Sequence, residues 1–177
     1  MDAEPDTDPL DRAAEWVDEQ QREYTHGEDR PLGGYVVTMA TYSAAVAAGA
    51  VAIATSGRRL PNRVPIRDLV LLGIATHKTA RLISKDPVTS PLRAPVTRFE
   101  GPGAPSEVSE EVRGDGAAHA LGELLTCPFC VGQWVATAGM FGLVLAPKVT
   151  RFAASTMTVV ALADFLQYAF AAAQRRA

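Results

Sequence analysis

One uncharged stretch of the chain decides the fold: residues 32–57 read LGGYVVTMATYSAAVAAGAVAIATSG. These 26 residues contain no Asp, Glu, Lys or Arg, and about 20 apolar residues are enough to cross the hydrocarbon core of a bilayer. A buried helix of a soluble domain would show a polar face over this length. The stretch therefore predicts a first membrane segment over about 33–56, with small residues that let another helix approach closely.

Three further segments follow. The 24 residues between Glu123 and Lys148 are uncharged and predict a membrane helix over 129–146, which Pro147 ends. Residues 152–173 form another candidate with one charge, Asp164, near the middle. The segment 66–84, IRDLVLLGIATHKTARLIS, is amphipathic with a basic stripe. Such a helix either lies on an anionic membrane surface or spans the membrane with its charged face against protein.

Asp164 helps to choose between these two alternatives. A carboxylate near mid-bilayer costs about 2.5 to 3.5 kcal/mol on insertion scales and normally has a partner inside the bundle. If residues 66–84 span, His77 lies within about 2 Å of the depth of Asp164, and Lys78 is one residue further. We therefore favour a spanning second segment and predict an intramembrane polar pair of Asp164 with His77 or Lys78. The pair either docks two helices or belongs to a proton or ion relay.

Two cysteines carry the other chemical signal, Cys127-Pro128-Phe129-Cys130. A proline at the first helical position makes Cys127 the N-cap of the third segment, where the helix dipole favours a thiolate. We expect Cys127 to react with an alkylating agent faster than Cys130, because Phe129 and Val131 restrict access to Cys130.

The same cysteines are open to a metal interpretation. His119, Glu123, Cys127 and Cys130 are spaced 4, 4 and 3 residues apart, so an unbroken helix would place four zinc-ligand types on one face, although Pro128 disturbs this alignment. Thiol redox chemistry, zinc binding, and a packing or disulfide role all stay open. Apart from this zinc alternative, no cofactor is expected.

The charges indicate the partners. Seventeen Lys and Arg against twenty Asp and Glu give a net charge of −3, which argues against nucleic acid as a partner. Cations near a membrane surface attract anionic headgroups at about 1 kcal/mol each, so membrane lipid is the expected partner, by ordinary anchoring or by specific recognition. A protein partner stays unknown, and a homo-oligomer stays open. The predicted lipid contacts are Arg67, Arg81, Lys85, Arg93 and Arg98.

The remaining sequence divides the chain into a tail and a membrane domain. Residues 1–30 carry eleven acidic residues against three arginines and predict an acidic tail with a short soluble helix over about 9–25, capped by Asp8. We expect residues 31–177 to form the membrane domain, including a polar loop over 85–127. The first half of this loop is expected against the membrane surface and the second half mobile, before a helical pattern from about Ala117.

Several short motifs resemble the bacterial membrane-protein family catalogued as domain of unknown function 1360, over about residues 66–173. They are the Arg81-Leu82-Ile83 run followed by Asp86, Pro91-Leu92-Arg93, and Gly122-Glu123-Leu124-Leu125 leading into Cys127, Cys130 and Trp134. The resemblance implies an integral membrane protein whose second segment spans, and it implies no activity. His77 and His119 lie outside the family pattern, which weakens the metal and relay interpretations.

We therefore expect an all-α, polytopic protein of the bacterial cytoplasmic membrane with four transmembrane helices, near 33–56, 66–84, 129–146 and 152–173. Both termini are expected in the cytoplasm, because this orientation places nine Lys and Arg inside against six outside and no signal peptide opens the chain. The expected function is that of a non-enzymatic scaffold or lipid-facing interaction protein. The alternative is a membrane thiol-redox or metal-binding protein that uses Cys127 and Cys130.

Overall fold

A computed structural model describes residues 8–26 and 30–175 of the chain. Within them most residues are helical, and a short 3-10 turn over Pro87–Thr89 links two of the helices. The helices are α1 (Pro9–Thr25), α2 (Leu32–Thr55), α3 (Ile66–Lys85), α4 (Ser90–Arg93), α5 (Gly116–Thr126), α6 (Pro128–Leu145) and α7 (Pro147–Gln174), and the strands are β1 (Thr97–Pro102) and β2 (Val108–Val112).

The short helix predicted in the acidic tail is present as α1. The Asp8 side chain caps it by accepting a hydrogen bond from the Leu10 amide at 3.0 Å, and proline occupies the first turn. The Gln21 side chain in turn accepts a hydrogen bond from the Leu32 amide, at the start of α2, at 3.2 Å. The first seven residues of the tail lie outside the described residues.

Three of the described helices are long and apolar enough to cross a membrane, namely α2, α6 and α7. They correspond to the first, third and fourth predicted segments. The second predicted segment forms α3, which has 20 residues. Its charged residues are too numerous for α3 to be recognised as a membrane-spanning helix from length and composition alone. Three of the four predicted segments are therefore candidates to span a membrane by length and composition, and four membrane helices stay a prediction.

The amphipathic helix α3 lies between α6 and α7. Leu72 packs beside Gly139, and Ala80 beside Gly132, so α3 and α6 run antiparallel. Leu72 and Ala75 of α3 form a buried cluster with Ala154 of α7. Apolar side chains of α3 therefore face both neighbouring helices, which is the packing expected of an element at the centre of a helical bundle.

The chain is not all-α, because β1 and β2 pair as an antiparallel hairpin with an irregularity between Phe99 and Gly101. We call residues 86–126, which contain this hairpin together with α4 and α5, the platform. The second half of this loop, which was predicted to be irregular and mobile, instead contains β2, whose backbone pairs with that of β1.

Close backbone approach fixes α2 on the platform. A Cβ atom added to Gly34 would lie 2.4 Å from the carbonyl oxygen of Gly116 and 2.9 Å from the Cβ of Ala120. Further along α2, a Cβ on Gly49 would overlap the ring of Phe141 in α6 at 2.6 Å. Glycine is needed at these positions because no side chain fits between the helices.

Candidate functional site

Arg93 is the most deeply buried charged residue of the described chain, with no exposed surface. Its Nε donates to Glu110 Oε2 at 2.5 Å and its Nη2 donates to Glu110 Oε1 at 3.1 Å, a two-point pairing between α4 and β2. Its guanidinium also donates to the carbonyls of Ile83, at 2.5 Å, and Asp86, at 3.0 Å. One side chain therefore joins the C-terminal end of α3 to the hairpin.

The hydroxyl groups of Thr89 and Ser90 complete this arrangement. Thr89 Oγ1 accepts from Arg93 Nη1 at 2.8 Å, and Ser90 Oγ accepts from Arg93 Nη2 at 3.1 Å. Carbonyl oxygens at a helix C-terminus lack partners within the helix and carry partial negative charge. A buried guanidinium with carbonyl, hydroxyl and carboxylate acceptors is electrostatically matched to that end of α3.

This geometry corrects one predicted lipid contact. Arg93 cannot reach a headgroup, because its side chain is enclosed by the platform and its charge is paired with Glu110. Arg81 forms an ion pair with Glu107. Arg67 and Arg98 are exposed, and Lys85 is partly buried.

The predicted intramembrane acid has a basic neighbour on α3. Lys78 Nζ lies 2.6 Å from Asp164 Oδ2, and the lysine side chain is 18% exposed. His77, the other predicted candidate, is exposed and lines a small groove with Phe129. The structure thus brings Asp164 together with Lys78, while His77 lies on a different face of α3.

A second ion pair between α3 and α7 was missed by the sequence reasoning. Arg151 Nε lies 3.0 Å from Asp68 Oδ1 and Arg151 Nη2 lies 2.8 Å from Asp68 Oδ2, so the pair is two-pronged, and Asp68 is 3% exposed. From the Asp68–Arg151 pair to the Lys78–Asp164 pair, the residue number increases on both α3 and α7. The two helices therefore run parallel. The signal in the sequence that could have indicated this pair is Asp68 itself, an acidic residue in the first turn of an otherwise basic helix.

Helix α5 ends just before Cys127, and α6 begins just after it, at Pro128. Cys127 has extended backbone angles and caps α6, and its Sγ accepts a hydrogen bond from the Cys130 amide at 3.2 Å, which confirms the predicted N-cap. Both thiols are free. The steric reason given for slower reaction of Cys130 is wrong, because Cys130 is exposed, Cys127 is partly buried, and Phe129 is 91% exposed. The order of reactivity itself stays a prediction.

The four proposed zinc ligands do not form one site, although His119 Nε2 lies 3.7 Å from Glu123 Oε1. An unbroken helix was required, and the break at Cys127 turns α6 away from the axis of α5. Glu123 is instead hydrogen-bonded by Tyr35, at 2.5 Å, and by Arg30, at 3.2 Å, while His119 Nδ1 contacts the Gly114 carbonyl. Over residues 8–26 and 30–175, no three His, Cys, Asp or Glu side chains are grouped to hold a metal ion.

Comparison with known proteins settles the family. A family model described as Protein of unknown function (DUF1360) matches residues 71–170, which is more than half of the chain. The chain belongs to the DUF1360 family. No curated protein and no solved structure matches it.

The DUF1360 match confirms the resemblance expected from the sequence motifs. The matched segment contains the Lys78–Asp164 pair, the Arg93–Glu110 pair and both cysteines. Asp68 and helices α1 and α2 lie outside it. The pairing of α3 with α7 at mid-helix and the buried arginine of the platform are thus features of the DUF1360 segment of this chain.

Proposed function

We propose that this DUF1360 chain is a multi-pass protein of the bacterial cytoplasmic membrane, in which α2, α3, α6 and α7 all cross the bilayer. The observation that carries the proposal is the pairing of α3 with α7. Two charged residues of α3, Asp68 and Lys78, have partners of opposite charge on α7. Intramembrane charges are tolerated when they face the bundle and are paired, so α3 can lie among three apolar helices at membrane depth.

We further propose that the protein works as a non-enzymatic scaffold that presents the platform at one membrane surface. The platform is stiffened by the Arg93–Glu110 pair and fixed to α2 by the contact of Tyr35 with Glu123. Val88, Leu92 and Phe99 of the platform are largely exposed, at 82%, 61% and 69%. Exposed apolar residues on a rigid polar unit are suited to contact with a lipid surface or with another protein.

Cysteine labelling of a cysteine-free variant in intact cells tests the topology. New cysteines at Asn62, in the exposed linker between α2 and α3, and at Ser106, at the exposed hairpin tip, should lie on opposite sides of the membrane. With the platform in the cytoplasm, an impermeant maleimide should label Asn62→Cys alone. Labelling of both positions or of neither would contradict a spanning α3, and labelling of Ser106→Cys alone would reverse the orientation.

Site-specific photo-crosslinking tests the scaffold. A photoreactive residue at Phe99 of the platform should give a discrete protein adduct in native membranes, whereas the same residue at Phe165, on an exposed face of α7, should give lipid adducts only. Lipid adducts alone at Phe99 would show a lipid-facing platform without a protein partner, and no adduct at Phe99 would argue against the platform as an interaction surface.

The thiol alternative is favoured by one observation, the hydrogen bond from the Cys130 amide to Cys127 Sγ at the start of α6. A helix N-terminus stabilises a thiolate. Under this alternative, Cys130→Ser should trap mixed disulfides at Cys127 in cells, visible on non-reducing gels. A scaffold gives no such species, and the double serine variant should then keep the Phe99 adduct.

A further inference from the structure

A cavity of about 940 Å³ lies at the end of the bundle opposite the platform. It is bounded by the C-terminal end of α2, the linker 56–65, the end of α6 and the first turns of α3 and α7. A volume of this size is typical of a pocket for a small organic ligand. It lies outside the platform and away from the cysteines.

One side of this cavity is cationic. Arg58, Arg59 and Arg63 of the linker line it, and Arg58 Nη1 donates to the Val144 carbonyl at 3.2 Å. Among the described lining residues Asp68 is the one acid, and its carboxylate is already held at two points by Arg151. Within the part of the chain that the structure describes, Arg59 and Arg63 form no ion pair. The cavity therefore has an excess of positive charge.

The opposite side is apolar. Ile53 of α2 and Met140, Phe141 and Leu143 of α6 form this wall. The cationic side belongs to the linker, which begins where the apolar helix α2 ends at Thr55. If α2 spans the membrane, this boundary lies at the level of the lipid phosphates, with the apolar wall facing the acyl region.

We propose that this cavity binds an anionic phospholipid, with its phosphate held by Arg59 and Arg63 and one acyl chain against the wall of α6. A guanidinium group matches a phosphate by two parallel hydrogen bonds and by charge. The ligand thus requires both an anion and an attached apolar chain. The inference rests on the membrane location proposed above, and it concerns arginines that lie outside the DUF1360 match.

Native mass spectrometry of the full chain, purified in a non-ionic detergent, tests the proposal. The probes are phosphatidylglycerol, phosphatidylcholine and inorganic phosphate, each added separately. Wild-type protein should retain phosphatidylglycerol in preference to phosphatidylcholine. Loss of two cations by Arg59→Gln with Arg63→Gln should weaken retention of phosphatidylglycerol by about 30-fold. The matched control is Arg12→Gln, because Arg12 is exposed on α1 and does not line the cavity, and it should bind as wild type does.

A second variant distinguishes binding of a whole lipid from binding of a phosphate group alone. Ala136 lines the cavity, so Ala136→Phe should fill the space beside the apolar wall and reduce phosphatidylglycerol retention while the linker arginines stay intact. Millimolar inorganic phosphate should not displace the lipid. Displacement by inorganic phosphate, with no effect of Ala136→Phe, would show a phosphate site instead and overturn the assignment to a lipid.

Vesicle flotation distinguishes the two proposals. Protein that fails to float with vesicles and is extracted by alkaline carbonate would overturn the membrane location itself. Protein that floats, while the Arg59→Gln with Arg63→Gln variant retains phosphatidylglycerol as well as wild type, would overturn the cavity assignment alone. An unchanged melting temperature of that variant without lipid would show that its lost binding is not caused by unfolding.

Discussion

Lys78 Nζ lies 2.6 Å from Asp164 Oδ2, and this contact joins the most polar long helix of the bundle to one of the three described helices that are apolar enough to span a membrane. His77, one residue earlier, points to a different surface. A helix turns about 100° per residue, so adjacent residues cannot share one partner face. The contact therefore assigns the two candidate bases of α3 to different surroundings.

The first prediction follows from this assignment. Asp164→Leu and Lys78→Leu should each destabilise the bundle, because each leaves one charge without its partner. The double variant should recover part of the loss, with a coupling free energy of about 0.5 to 2 kcal/mol. The free energies of unfolding of the single and double variants in mixed micelles give this coupling free energy. Asp164→Leu with His77→Leu is the control and should be additive, and coupling to His77 instead of Lys78 would contradict the observed pairing.

The second prediction concerns the buried arginine. Arg93→Met should destabilise the platform by about 3 to 5 kcal/mol, because the Glu110 carboxylate is left buried without its charged partner. Changing both residues to methionine should cost less than changing Arg93 alone. Hydrogen exchange at the β1 and β2 amides provides the measurement. Arg98→Met, at an exposed position of the same segment, should stay within about 0.5 kcal/mol of wild type.

The third prediction concerns the cap of α6. Cys127→Ser should be tolerated because serine is a strong N-cap residue, and Cys127→Ala should be about 0.5 to 2 kcal/mol less stable than the serine variant. Thermal unfolding compares the two variants. Cys130→Ala serves as the control, since the Cys130 amide rather than its thiol makes the capping bond. Equal stability of the serine and alanine variants would show that Cys127 contributes nothing as a cap.

The fourth prediction concerns the contact of α2 with the platform. Gly34→Ala should destabilise the protein by about 1 to 3 kcal/mol, because the added methyl group would overlap the backbone of Gly116. Gly73→Ala is the matched control. An added Cβ there meets nothing within 4 Å, so this variant should be neutral or slightly more stable, as alanine favours helix. A stable Gly34→Ala variant would mean that α2 and α5 can separate.

The helices were predictable because their signals are local. Long apolar stretches with few or no charges indicate α2, α6 and α7 whatever surrounds them, and the proline after Cys127 marks the start of α6. Asp164 could be recognised as needing a partner because a lone charge at mid-helix is unfavourable in an apolar setting.

The platform was not predictable from the same kind of signal. The strands β1 and β2 are short and contain Arg98, Glu110 and Glu111, so their apolar alternation is weak. Arg93 looked like a surface cation because its acceptors lie 10 residues before it, at Ile83, and 17 residues after it, at Glu110. The Asp68–Arg151 pair spans 83 residues of chain, which no local pattern encodes.

The position of Arg93 also determines when its contacts can form during synthesis of the chain. The guanidinium that satisfies the carbonyls of Ile83 and Asp86 leaves the ribosome after α3, and Glu110 emerges 17 residues later still. Before Glu110 is made, Thr89 and Arg93 can satisfy the carbonyls of Ile83 and Asp86, but the Arg93 guanidinium lacks its carboxylate partner. A nascent chain that stops before β2 therefore leaves the charge of Arg93 without its counterion, so this side chain can be buried against the end of α3 only after the hairpin has been translated.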